Sequence, residues 1–375
     1  MKIEQNCERS LLTLTTSGVL AMHGFSNGGY IFLTGLITLF ASMAFWFRDV
    51  ISEGTAQNLF SRVILSNYTL NTAKAIPQEE IKQTLLKFTK VNGTIRDLKD
   101  DQFGHYLAGL LEGDGHISLP AVGYTTLNRV LNPRIVFTSH ENNLGLYSYI
   151  QSKLGGIGRF QLTGTNTIRY IIGDIKGIKL FINLIHGKLR TPKNKRLNDL
   201  IKFINLKYSL EISESLLDTS NLDENSWFTG FTEADGHFGV KVVESKPKSE
   251  TRKRSISENI TLKFRLDQRS FDVPTSSSML PVMETLALFL SCNLKTYRIK
   301  TKSSSTEVLS VSVTSIAKLE SIINYFNQYP LLGVKGKDFK HWETVYNMIL
   351  SKEHLTEVGR LKIRSIVSEI KSYKE

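Results

Sequence analysis

Two matching segments constrain this chain more than any other feature: YLAGLLEGDGH, ending at His116, and WFTGFTEADGH, ending at His237. From Leu107 to His116, five of ten aligned positions are identical, namely Gly109/Gly230, Glu112/Glu233, Asp114/Asp235, Gly115/Gly236 and His116/His237, at an offset of 121 residues. That offset is domain-sized, since solenoid units run to about 20–45 residues. The downstream segments also match in order. After the first motif come the strand-like LNPRIVFTSH, the hairpin GRFQLTGTNTIRYIIG and the helical IKLFINLIHGKLRTPK. After the second come FGVKVVES, ENITLKFRLDQ, the hairpin TYRIKTKSSSTEVLSVSV and the helical AKLESIINYFNQYPLLGVK. Period-two alternation marks the strands, and apolar spacing of three and four marks the helices. Each half is therefore predicted to run helix, two strands, helix, two strands, helix, an α+β module present twice.

Charge narrows what the repeats do. The chain has 47 Lys and Arg against 35 Asp and Glu, a formal net charge of +12. Lys and Arg gain affinity for phosphates by releasing condensed counterions, so the excess points to a polyanionic partner; a solvated basic face or an anionic membrane surface would also account for charge alone. Residues 1 to 57 hold Lys2, Arg9 and Arg48 against Glu4, Glu8, Asp49 and Glu53, so the whole excess lies beyond them. Two cysteines, Cys7 and Cys292, exclude a disulfide framework and a cysteine-ligated zinc site.

The motif carries the chemistry. Phe103, Tyr106, Leu107 and Leu110 form an apolar stripe at helical spacing, while Gly109 and Gly113 lie four apart on another face; Phe228, Phe231, Gly230 and Ala234 repeat the pattern. Small residues four apart let two backbones approach, so the two helices are expected to pack on each other. Glycine inside a helix costs about 1 kcal/mol against alanine, which packing must offset. Gly115 and Gly236 are expected to end the helices in the left-handed conformation. Asp114 and Asp235 then occupy helix C-termini, where the macrodipole disfavours a carboxylate by roughly 0.3–1 kcal/mol, and helix pairing adds mutual repulsion. A single Asp-Gly pair is ordinarily a solvated loop. Two in matched context point to a divalent cation, Mg²⁺ or Mn²⁺, which takes carboxylate and phosphate oxygens, activates water and stabilises a leaving oxygen.

LAGLLEGDG and FTGFTEADG resemble the two signature helices of the LAGLIDADG endonuclease family, over roughly residues 101 to 350. The resemblance implies two pseudo-symmetric αββαββα repeats, residues 101 to 210 and 222 to 350, forming a DNA-binding saddle in a monomer, with a basic C-terminal helix at 351 to 375. It implies that Asp114 and Asp235 bind metal together with the backbone carbonyls of Gly113 and Ala234, and that Glu112 and Glu233 are structural. The family places a lysine late in each repeat. GKLRTPK and YPLLGVK nominate Lys193 and Lys335 as catalytic, with Lys195 and Lys337 as neighbouring alternatives. FRLDQ nominates Gln268 to reach the hydrolytic water, where the first repeat offers Ser139 or His140. His116 and His237 are left unassigned, because histidines at strand starts are more often packed or solvent-exposed than ligands. The implied activity is intron homing, a staggered double-strand cut in a DNA target spanning an intron insertion site. An intron RNA maturase acting on its own intron RNA is the alternative on the same fold.

The N-terminal part is different in kind. Tyr30 to Phe47 carries no charge and is long enough to span a bilayer, with Trp46-Phe47 and Arg48 at an interfacial end. SGVLAMHGFSNGGYIFLTGLITLFASMAFWFRDVISEGT resembles the early part of cytochrome c oxidase subunit III, WFRDVISEGT most specifically. No later run sustains such apolarity, so residues 1 to 57 read as a truncated exon-derived membrane segment preceding the repeats. A component of a respiratory membrane complex is the third reading, supported by this segment alone. Fusion of an intron reading frame to its upstream exon implies a mitochondrial gene, with the endonuclease part in the matrix and the first segment membrane-associated or removed. Residues 58 to 100 read as a linker containing the amphipathic helix IPQEEIKQTLLKFTKV.

Strands that lie in a major groove need polar and basic side chains on one face. HFGVKVVESKPKSETRKRS supplies Lys241 and a loop with Lys246, Lys248, Arg252, Lys253 and Arg254; TYRIKTKSS supplies Arg298, Lys300 and Lys302. Such a charge run is expected to clamp phosphates rather than read bases.

Overall fold

The computed structural model of the protein describes residues 74–91, 100–120, 132–248, 251, 254–255, 257–301 and 305–372. The chain divides into two units, Met1–Thr72 and Ala73–Glu375, and all described residues belong to the second. The membrane-type helix expected at residues 30 to 47 lies outside them. Among the described residues no helix is long and apolar enough to cross a membrane.

A short strand β1 (Lys74–Ala75) and helix α1 (Gln78–Val91) precede the first motif helix, α2 (Asp100–Asp114). The first repeat continues with β2 (Gly115–Ser118), β3 (Arg134–His140), a 3-10 turn (Glu141–Asn143), α3 (Leu144–Lys153), β4 (Arg159–Thr163), β5 (Thr167–Ile172), α4 (Ile175–Ile185) and α5 (Lys193–Tyr208). The second contains α6 (Trp227–Asp235), β6 (Gly236–Val243), β7 (Asn259–Arg269), the small hairpin β8 (Phe271–Asp272) and β9 (Ser277–Ser278), α7 (Leu280–Phe289), β10 (Lys295–Lys300), β11 (Ser305–Val313), α8 (Ile316–Gln328) and α9 (Val334–Leu350), with α10 (Glu357–Ser372) closing the described chain. The expected αββαββα order is present in both halves.

The two motif helices pack on each other through their glycines. A Cβ on Gly109 would press on the Trp227 carbonyl and lie 2.7 Å from the Phe231 nitrogen; one on Gly230 would press on the Tyr106 carbonyl and lie 2.8 Å from the Leu110 nitrogen. Gly113 in turn abuts Ala234. These approaches advance together along both helices, so α2 and α6 run parallel and bring both C-termini to one end. The left-handed ending expected at Gly115 and Gly236 does not occur. Gly236 is extended, at φ −70° and ψ 154°, and Gly115 is not among the glycines of positive φ. Space explains both: a Cβ on Gly115 would lie 2.9 Å from the Leu111 backbone, and one on Gly236 would lie 2.8 Å from the Thr232 carbonyl oxygen. The chain leaves each helix directly into a strand folded tightly against it.

The late helices also differ from the expectation. IKLFINLIHGKLRTPK is not one helix: α4 stops at Ile185, Gly187 takes φ +70°, and α5 starts after Pro192. Gly187 tolerates the left-handed region because it lacks a Cβ, and Pro192 favours a fresh helix start. Pro330 interrupts the second repeat between α8 and α9. Each break sets a lysine, Lys193 or Lys335, in the first turn of a separate helix.

Each repeat backs its helices with an antiparallel sheet, ordered β1-β4-β5-β3-β2 in the first and β10-β11-β7-β6 in the second. The segment expected to be a linker contributes to the first. Lys74 pairs with Leu162 at the sheet edge, Ile81 is buried, and the Phe88 ring lies 6.2 Å from Tyr149 of α3. A chain starting at residue 95 is therefore expected to unfold several degrees below one starting at residue 73, since burying one large apolar side chain contributes about 1.5–3 kcal/mol. Equal melting temperatures would show that α1 contributes nothing.

The C-terminal helix buries Ile363, Ile366 and Ile370. Its Arg364 pairs with Glu244 and Glu258, both at 2.8 Å, and Arg360 pairs with Glu258 at 3.3 Å. These glutamates flank the basic loop between β6 and β7, so α10 holds both stems of that loop.

Candidate active site and nucleic-acid interface

Asp114 and Asp235 are the last residues of α2 and α6, at the shared end of the helix pair. Burial, and then the charge of Asp235, push the Asp114 pKa up to about 7. Each acid accepts from a side chain of its own repeat. Tyr147 Oη donates to Asp114 Oδ2 at 3.4 Å, and Gln268 Nε2 donates to Asp235 Oδ2 at 2.6 Å.

Of the two lysine pairs, the structure brings Lys193 and Lys335 to the acids. Lys193 Nζ donates to the carbonyls of Gly115 (2.6 Å), Glu112 (2.7 Å), Leu111 (3.0 Å) and Gly113 (3.4 Å). Lys335 Nζ donates to the Ala234 carbonyl. Burial draws both ammonium pKa values down. Lys195 is exposed and donates instead to Ser277 Oγ at 2.7 Å, and Lys337 is exposed.

Glu112 and Glu233 are buried, and burial raises both carboxyl pKa values. Glu112 accepts from the backbone nitrogens of Arg190 (3.0 Å) and Thr191 (2.5 Å) and from Trp227 Nε1 (2.5 Å). Glu233 accepts from the nitrogens of Leu332 (2.8 Å) and Gly333 (3.0 Å) and from Tyr106 Oη (3.4 Å). Each glutamate thus fixes the loop just ahead of its own repeat's lysine, and the aromatic residue eight positions before each acid donates across to the other repeat's glutamate. Their structural assignment acquires a definite task, holding Lys193 and Lys335 in place.

Strand register resolves the alternatives opposite Gln268. Gly115 pairs with Phe137, and Gly236 pairs with Leu266. Two residues further on stand Ser139 and Gln268, so Ser139 is the positional counterpart. His140 is exposed, and its ring nitrogen accepts from the Asn142 backbone.

The outer face of the second sheet carries Lys241, Lys263 and Arg265 alongside His237. Arg265 is held by Asp267 at 2.7 Å and by Tyr297 Oη at 2.8 Å. Lys246, Lys248 and Arg254 are exposed in the loop; Arg252, Lys253 and Lys302 lie outside the described residues. Arg298 and Lys300 do not share the face of Lys241. Arg298 pairs with Glu307, in the phase of the inward Leu266, and forms an ion pair with it at 3.6 Å. Sequence reasoning missed Lys263 and Arg265. It also missed Arg134, Arg159, Gln161 and Arg169, which share one outer face with His116 in the first repeat. The same alternation, read through LNPRIVFTSH and RFQLTGTNTIRY, carries that signal.

The donor set suits a hard divalent cation. Among the described residues no three His, Cys, Asp or Glu side chains cluster as a closed metal cage. Two neighbouring carboxylates, with the Asp114 pKa raised by burial and then by the Asp235 charge, beside backbone carbonyls of Gly113 and Ala234 that already accept from ammonium groups, form an open site of the sort Mg²⁺ completes with water and phosphate oxygens.

The comparisons with known proteins agree with this geometry. The family model described as LAGLIDADG endonuclease matches residues 107–204 and 228–346, and that for cytochrome c oxidase subunit III matches residues 4–73. A Schizosaccharomyces pombe protein described as an uncharacterized cox1 intron-2 37.2 kDa protein is 31% identical over 274 residues, covering 72% of this chain and 73% of its own. The intron-encoded DNA endonuclease aI3 of Saccharomyces cerevisiae is 27% identical over 274 residues, 67% of this chain and 65% of its own, so the chain spans just under two thirds of that relative. Among solved structures, the LAGLIDADG homing endonuclease I-GzeII in complex with its DNA target superposes with a TM-score of 0.52 at 19% identity, covering 72% of this chain and 99% of its own.

Proposed function

Because the chain belongs to the LAGLIDADG endonuclease family, we propose that it is a site-specific DNA endonuclease that cuts both strands of a duplex spanning the insertion site of its own intron. The observation that carries this is the meeting of Asp114 and Asp235, one from each repeat, at one end of a parallel helix pair, with Lys193 and Lys335 donating to carbonyls beside them. Two repeats in one chain supply two half-sites, so a monomer suffices. The outer sheet faces, basic in both repeats, form the saddle that receives the duplex.

Asp114 and Asp235, with the carbonyls of Gly113 and Ala234, would hold Mg²⁺ or Mn²⁺, which supplies Lewis-acid polarisation of the phosphate and activation of water. Lys193 and Lys335 place positive charge where it offsets the extra charge on a phosphate under attack. Gln268 orients Asp235 and presents its amide to water at that half-site. The match of residues 4–73 to cytochrome c oxidase subunit III supports an in-phase fusion to an upstream exon, hence a mitochondrial origin, and on this reading the target is the joined exons of an intron-free copy.

The test is competition binding in Ca²⁺ between that junction duplex and a scrambled duplex. A preference of about a thousandfold is expected for a specific site; equal affinity would contradict site specificity. Replacing Arg252, Lys253 and Arg254 with Gln should flatten the plot of log K against log salt by about 0.9 for each phosphate no longer neutralised. An unchanged slope would place the loop away from DNA.

A further inference from the structure

We infer that Tyr147 is the positioning residue of the first half-site, doing for Asp114 what Gln268 does for Asp235, through a hydrogen-bonded chain that starts in the other repeat. This rests on the endonuclease reading of the site. Ser139 occupies the register position of Gln268 but is too short to play its part. Tyr147, from α3, stands in: its hydroxyl donates to Asp114 Oδ2 at 3.4 Å, and its ring is buried and wedged between Phe137 and Tyr170, at centroid distances of 5.7 and 6.2 Å.

The support behind Tyr147 runs in one direction. The Val334 backbone N–H donates to Asn143 Oδ1 at 3.3 Å, Asn143 Nδ2 donates to Ser139 Oγ at 2.9 Å, the Ser139 hydroxyl hydrogen-bonds the Tyr147 hydroxyl, and Tyr147 donates to Asp114. Asn143, Ser139 and Tyr147 each accept from behind and donate ahead, the arrangement in which neighbouring hydrogen bonds polarise one another. Val334 opens α9 and directly precedes Lys335. The first repeat's acid is therefore aligned by the helix that carries the second repeat's lysine.

The second half-site is built differently. Gln268 reaches Asp235 directly from β7, and the turn equivalent to Glu141–Asn143 is replaced by the β8–β9 hairpin, whose Ser277 accepts from Lys195. The consequence is a strand bias. Removing the Tyr147 hydroxyl should impair the half-site of Asp114 and spare that of Asp235.

The experiment follows nicked and linear product from a supercoiled target plasmid, with each strand end-labelled, for the parent protein, Tyr147→Phe, Ser139→Ala and Gln268→Leu, alongside calorimetric Ca²⁺ titration of each protein. Tyr147→Phe keeps the ring in the core, so folding is preserved. It should slow one strand by about tenfold or more, the scale of a missing hydrogen bond to a charged group, accumulate nicked plasmid and weaken Ca²⁺ binding. Ser139→Ala touches neither acid and should give the same bias to a smaller degree, whereas Gln268→Leu should slow the opposite strand. Equal slowing of both strands by Tyr147→Phe, or none, with unchanged Ca²⁺ affinity, would overturn the assignment. A parent protein that binds Ca²⁺ and DNA but cuts neither strand would instead contradict the endonuclease reading, and the Ca²⁺ titration would still decide for or against Tyr147.

Discussion

Replacing Asp114 or Asp235 with Asn, one at a time, is expected to lower double-strand cutting by about a hundredfold or more, the effect of losing a ligand or a charge stabiliser at the reacting phosphate. DNA affinity should stay close to the parent value, because basic side chains on the two sheets and in the β6–β7 loop supply most of it. Stability without metal should move the other way. Asp114 is half-buried beside Asp235, and its pKa is raised to about 7; a raised carboxyl pKa means that the fold is most stable below the unfolded value and loses that contribution as pH rises through about 7. The metal-free parent should therefore weaken from pH 5 to pH 8, and Asp114→Asn should remove this dependence. The two Asn variants should match or exceed the parent at neutral pH by roughly 0.3–1 kcal/mol, as helix-end placement and repulsion are relieved. Lower thermal stability, with cutting reduced only in proportion to folded protein, would show that the acids are structural.

The second large effect concerns the helix pair. Gly109→Ala and Gly230→Ala would each gain about 1 kcal/mol of intrinsic helix propensity. Each new methyl would meet backbone atoms of the facing helix, the Phe231 nitrogen at 2.7 Å or the Leu110 nitrogen at 2.8 Å. Backbone has no alternative rotamer to adopt, so the helices must separate, an overpacking penalty of about 1–3 kcal/mol or more. Separation would also strain the bonds from Trp227 to Glu112 and from Tyr106 to Glu233 that cross the interface. Denaturant unfolding should show a net loss of stability in both variants, together with slower cutting. A gain in stability in either would mean that the helices are not held by their glycines.

What is legible in the sequence rests on local pattern. The repeat identifies the motif helices, small residues four apart identify their packing face, and the resemblance of GKLRTPK and YPLLGVK to the family's late segments narrows each lysine to two neighbours, Lys193 or Lys195 and Lys335 or Lys337. What stays hidden depends on distant segments meeting in the fold. Nothing near Glu112 announces that it will accept from Arg190 and Thr191, 78 and 79 residues away, and Tyr147 reads as an ordinary core aromatic until folding brings it to Asp114. Alternation reveals that a strand has two faces but leaves its phase open. Pairing settles it, as Arg298 opposite Glu307 illustrates. The ends of α2 and α6 depart from expectation for a related reason. An Asp-Gly pair suggests a left-handed turn, whereas Gly115 and Gly236 are required by the closeness of the outgoing strand to Leu111 and Thr232.

Whether two repeats bring two aspartates together to cut a specific duplex is tested most directly by incubating the purified protein with a supercoiled plasmid that carries the joined exon sequence. The reactions are run with Mg²⁺ and with EDTA, with the Asp114→Asn variant as control. A single linear product is expected, formed by the parent in Mg²⁺ alone and absent with EDTA or the variant. A plasmid left supercoiled by parent protein that binds it tightly in Mg²⁺, or equal cutting by Asp114→Asn, would contradict the two-aspartate mechanism.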